Sequence, residues 1–193
     1  SFEANRQLLF VLSNLAIFMI GLGFAVRSNI APDLQADLFN SIDVARSAAM
    51  VGEVIAATFI GFALTLLFGG ALVDSIGMKR VLYFAAFAYV AGSVLVFFAV
   101  GAGSYWLVYI GFLCTGLGWG AVEAATNPLI TTVYPDEKTH RLNILHAWWP
   151  AGIVVGGIAG LGLESIGFGW EVNLALLLIP GLVLAWLVSR AVF

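Results

Sequence analysis

Six apolar runs, each close to twenty residues or longer, divide this chain of 193 residues and constrain its fold more than any other feature. They cover residues 7–30, 48–73, 81–100, 105–133, 143–163 and 172–188. An α-helix rises ~1.5 Å per residue, so ~20 apolar residues carry it across the hydrocarbon core of a bilayer. Backbone groups find no water there, so a spanning segment satisfies them itself as a helix, or with neighbours in a closed barrel. These runs are continuous rather than alternating, and too long for barrel strands. The composition agrees: 62% of residues are hydrophobic and 10% charged, with a mean hydropathy of +1.03. Too little polar surface is left for a soluble domain. The first run exceeds a signal-peptide core and has five like it behind it, so it reads as a span.

An even number of spans puts both termini on one side. Arg6, Lys79, Arg80, Lys138, Arg141 and Arg190 fall at that side, and Arg46 alone at the other. The excess of positive charge marks the cytoplasmic face, so both termini are expected in the cytoplasm of a plasma or bacterial inner membrane. Trp106, Trp170 and Trp186 lie near run ends, where interfacial anchors belong. Residues 32–47 read as a polar external loop and residues 134–142 as a charged cytoplasmic one. Cys114 is the single cysteine, so no internal disulfide forms.

Between the second and third runs stands "GGALVDSIGMKR", residues 69–80. Gly70, Asp74, Gly77, Lys79 and Arg80 follow the spacing G-x-x-x-D-x-x-G-x-[KR]-[KR], with Ser75 where a basic residue is usual. This resembles the signature loop of the major facilitator superfamily. Gly70 permits close helix approach, Gly77 a tight turn. Asp74 is suited to a facing helix N-terminus or to a cation, with Arg141 and Arg80 as neighbours. The resemblance implies an all-α transmembrane fold. The whole chain would be the amino-terminal six-helix bundle, a 3+3 inverted repeat, of a twelve-helix transporter, with the carboxy-terminal half absent.

The stretch "EAATNPLITTVYPDEKTHRLNILHAWWPAG", residues 123–152, is similar to the fucose permease branch of that superfamily, the proton-coupled sugar symporters. Glu123, Asn127-Pro128, Pro135 and Arg141-Leu142-Asn143 carry the similarity. It implies that the fourth-span acid, Glu123, serves proton coupling and sugar binding. The residues themselves agree, because an acid at membrane depth faces a cavity or a partner. Trp119, Glu123 and Asn127 recur every four residues on one helix face, offering an aromatic plate, a carboxylate and an amide to a sugar. Asn143, His146 and Trp149 recur every three on the fifth span. Glu123 and His146 are expected to meet across the cavity and to exchange a proton there. Structural hydrogen bonding between helices, at ~1 kcal/mol, is the plainer account of the same residues.

The first span departs from that branch. Where an acid is expected, this chain has Arg27, Ser28 and Asn29, and a second acid, Glu53, appears on the second span. Both count as about one turn below the outer surface, so Arg27 and Glu53 form a possible ion pair. A lone Arg27 would instead suit a carboxylate or phosphate on the solute. The leading expectation is secondary active transport of a sugar-like solute, proton-coupled through Glu123. The alternatives are an organic-anion carrier using Arg27 and a non-transporting half-bundle acting as a scaffold. Glycines at 152, 156 and 160 mark a close helix crossing, and Pro180-Gly181 a kink. No catalytic motif, metal cluster or cofactor-binding loop is present, so neither an enzyme nor a cofactor is expected. The partners expected are the solute, protons, the bilayer, and a missing half or a second copy; nucleic acid is not among them.

Overall fold

The structure is a computed structural model that describes residues 2–193, and all regular structure among them is helical. α1 is Phe2–Leu34; it runs on without interruption through a π-helical turn, Gln35–Phe39, and a last turn, Asn40–Ile42. α2 is Ser47–Ile76, α3 Met78–Ala99, α4 Tyr105–Val133 and α5 Lys138–Ser165. α6 comes in two pieces, Trp170–Ala175 and Leu178–Arg190. All six are long and apolar enough to cross a membrane.

The helices outrun the apolar runs where polar residues share a turn with buried apolar ones. Residues 32–47 are largely helix, not a loop. Leu34, Leu38 and Phe39 fall at helical spacing and are fully buried, so burial carries α1 past Pro32, Asp33, Gln35 and Asp37. α5 likewise begins at Lys138, and the loop before it shrinks to residues 134–137. Gly77 adopts φ +86° between α2 and α3, a conformation that disfavours any side chain with a Cβ. The break in α6 precedes Pro180 by one turn. The ring of Pro180 offers no N–H to the Leu176 carbonyl and crowds it, so the helix opens at residues 176–177.

α4 is the axle of the bundle. It packs along α2 and α3 and touches α1 and α5, while α1 runs along α5 and α3 along α6. Three seams bring backbone against backbone, one of them between α3 and α4, where a Cβ at Gly92 would overlap the Gly111 carbonyl. On α4, a Cβ at Gly116 would overlap the Thr58 carbonyl of α2, and one at Gly61 the Leu113 carbonyl. On α5, a Cβ at Gly152 would overlap the Phe18 carbonyl of α1, and one at Gly21 the Trp149 carbonyl. Only glycine lets the axes come this close. Gly70, expected at such a crossing, is exposed and meets nothing.

Candidate solute and proton site

Every fourth residue of α4 from 115 to 127 carries a polar group: Thr115, Trp119, Glu123 and Asn127. Four residues turn a helix through about 400°, so each step drifts about 40° around the axis. The Thr115 end of the row consequently meets α1, and the Asn127 end meets α5.

At the α5 end, three side chains form a chain of hydrogen bonds. The Asn127 amide Nδ2 donates to Glu123 Oε2 at 2.8 Å and to the Glu123 carbonyl at 3.0 Å. Asn127 Oδ1 lies 3.0 Å from His146 Nε2 on α5. Glu123 and His146 do not touch; Asn127 bridges them. Glu123 is 7% exposed, Asn127 is half-buried and His146 is exposed. The chain of bonds thus runs from the interior of the bundle to its surface. Asn143 is exposed, one turn before His146, and makes no side-chain hydrogen bond within the described residues. Trp149 is half-buried, edge-on to Phe62 with ring centres 6.3 Å apart.

At the α1 end, Arg27 is 4% exposed. Its Nη2 donates to Thr115 Oγ1 at 2.5 Å and its Nη1 to the Gly23 carbonyl at 3.3 Å. The guanidinium sits 5.0 Å from the Phe112 ring centre and 5.6 Å from that of Trp119. Two expectations are corrected here. Arg27 and Glu53 are not a pair: Glu53 accepts from Arg46 Nη2 at 3.0 Å and from the Tyr105 hydroxyl at 2.6 Å. Tyr105 starts α4, whereas Thr115 lies ten residues on, about 15 Å deeper at 1.5 Å per residue. Because α1 continues to Ile42, Arg27 is four turns from its outer end rather than one. Nor is Trp119 an open plate for a sugar. It is 2% exposed, and its ring lies close enough to Gly23 that a Cβ there would stand 3.0 Å from it.

The signature-loop residues scatter. Asp74 and Arg80 are exposed, without a side-chain partner among the described residues. Lys79 donates to the Ala191 carbonyl at 2.9 Å. Arg141 pairs with Glu137 at 2.8 Å and lies 4.4 Å from the Tyr134 ring centre, so it does not serve Asp74 within this bundle. Trp106 and Trp186 are exposed at the run ends, as anchors would be. Trp170 is instead buried and donates to Asp37 Oδ2 at 3.1 Å. The sequence reading missed Thr115 and Thr58. Thr115 was one step back along the α4 row; Thr58 carried no signal.

The family profile described as "Major Facilitator Superfamily" matches residues 11–193. The chain belongs to the major facilitator superfamily. It is the amino-terminal six-helix half of that fold, a multi-pass membrane protein of a transporter family rather than an enzyme. The structure of the proton:xylose symporter XylE bound to 6-bromo-6-deoxy-D-glucose superposes with a TM-score of 0.88 at 16% identity, over 99% of this chain and 46% of that one. The myo-inositol transporter 1 of Saccharomyces cerevisiae is 31% identical over 66% of this chain and 21% of its own length. The hexuronate transporter of Bacillus subtilis is 28% identical over 74% and 33%. The L-fucose-proton symporter of Escherichia coli is 26% identical over 58% and 26%. The matches therefore span a third or less of the length of the three transporters matched by sequence, and just under half of the XylE chain.

Proposed function

We propose that this bundle is half of a secondary transporter for a small polyhydroxylated solute, with a proton exchanged at Glu123. The observation that carries the reading is the Glu123–Asn127–His146 chain of hydrogen bonds. An ionised carboxylate only accepts, so it takes the Asn127 N–H. That turns Asn127 Oδ1 toward His146, whose Nε2 must then carry a hydrogen. A protonated Glu123 is a donor. The amide is then free to turn over, giving Oδ1 to the Glu123 O–H and Nδ2 to a His146 Nε2 that accepts, in exchange for its 3.0 Å bond to the Glu123 carbonyl. The protonation of a buried acid is thereby read out at an exposed imidazole. Asn143 adds an amide one turn away. Relatives named for myo-inositol and fucose transport support a hydroxyl-rich solute. Both termini face the cytoplasm in this reading, and a second six-helix bundle, from a longer polypeptide or another copy, completes the pathway.

The test is Glu123→Gln in a complete transporter carrying this bundle, reconstituted in proteoliposomes. Glutamine keeps size and hydrogen bonding but does not titrate. Accumulation driven by a proton gradient is lost and solute exchange persists. Accumulation at the original level rejects the assignment.

A further inference from the structure

Arg27 is a buried cation without an anion. Among the described residues, Glu53 is bound to Arg46 and Tyr105, and Glu123 to Asn127. Water does not reach the guanidinium freely, and an unpaired charge at membrane depth is costly. Three residues of one cleft's wall, Arg27, Thr58 and Trp119, each carry a buried polar atom that has no partner among the described residues: Nε, Oγ1 and Nε1. The three residues are 4%, 2% and 2% exposed. Guanidinium and indole N–H groups only donate, and a hydroxyl is free to donate. The cleft lies between α1, α2 and α4, with Phe24 and Ser28 also in its wall, and its volume is about 20 Å³.

We propose that this cleft binds one halide-sized anion, with chloride as the natural occupant. Size and chemistry select it together. One water needs roughly 10–15 Å³ of such space, so the cleft takes a single small species and shuts out a sugar acid or an organic phosphate. A water molecule fits less well beside Arg27 and Trp119, because their N–H groups accept neither of its hydrogens and it brings no charge to offset the guanidinium. A halide accepts from all three groups and neutralises Arg27 as well. Arg27 accordingly belongs to an ion-binding element of the bundle and not to the solute site. This holds whether or not Glu123 carries a proton.

The experiment uses the purified chain in detergent, exchanged into gluconate and titrated with chloride or bromide at constant ionic strength. Both halides raise the melting temperature saturably, and crystals soaked in bromide give an anomalous peak beside Arg27. Thr58→Val keeps shape and charge but removes one donor, so the half-saturating chloride concentration rises several-fold. Trp119→Phe does the same from the other wall. Coincident melting curves in gluconate and chloride overturn the proposal. So does a chloride response unchanged in both variants, or a bromide-soaked crystal with no peak in the cleft. Glu123→Gln leaves the halide response intact, which separates this result from the outcome of the transport test.

Discussion

Asn127→Leu separates a relay from a strut. Leucine matches asparagine in length and removes both of its hydrogen-bonding ends. Three side-chain bonds are lost: to Glu123 Oε2 at 2.8 Å, to the Glu123 carbonyl at 3.0 Å and, across to α5, to His146 at 3.0 Å. Hydrogen bonds in membrane bundles average about 0.6 kcal/mol each and reach about 1.7, so the loss of stability is about 2 kcal/mol and at most about 5. The α1–α5 and α2–α4 seams do not involve Asn127 and hold the bundle together. The variant therefore stays folded, while the bridge between Glu123 and His146 is cut. Melting in detergent checks the first part. Uptake against pH in a complete transporter checks the second: the profile loses its dependence on His146, so His146→Gln has no further effect in the Asn127→Leu background. A cost well above 5 kcal/mol would make Asn127 a structural keystone. An unaltered pH profile would remove it from the proton path.

Gly116→Ala drives a methyl into the Thr58 carbonyl and costs about 1–3 kcal/mol as overpacking. Gly70→Ala meets nothing and gains roughly 0.5–1 kcal/mol from the stiffer helix; melting of the two variants in opposite directions tests both. Substituting Arg27 and Glu53 singly and together gives additive losses within about 0.5 kcal/mol, as befits separate sites, and a larger coupling in the melting cycle would restore the ion pair. Asp74→Asn leaves the melting of this chain within about 0.5 kcal/mol of the original, because Asp74 is exposed and unpartnered here. In a complete transporter it slows turnover with little change in solute affinity, and normal turnover would show that Asp74 has no gating role.

The spans were legible because a bilayer demands long apolar helices and little else. Glu123 and Asn127 were legible as a pair because i and i+4 share a face. Arg27 was misread because its depth depends on where α1 ends. Pro32, Asp33, Gln35 and Asp37 look like a loop when taken alone. Only the tertiary burial of Leu34, Leu38 and Phe39 makes them part of a helix. Trp119 was misread for a subtler reason. A row at steps of four shares a face for one turn and then drifts, so the aromatic at its α1 end turned into the bundle. Thr58 offered no pattern. A single hydroxyl in an apolar helix reveals its neighbour only in three dimensions.

The glycine seams have a mechanical consequence. At Gly116–Thr58 and Gly152–Phe18 one main chain rests directly on another. Sliding either helix by one residue would push a side chain into a carbonyl, so these joints have no gear in which to slip. The bundle behaves as a single stiff casting, with the buried acid Glu123 fixed inside it. Any motion that exposes Glu123 to one side and then to the other is therefore a swing of the whole casting. The barest helix of the casting is α5, where only 22% of the apolar stretch is covered.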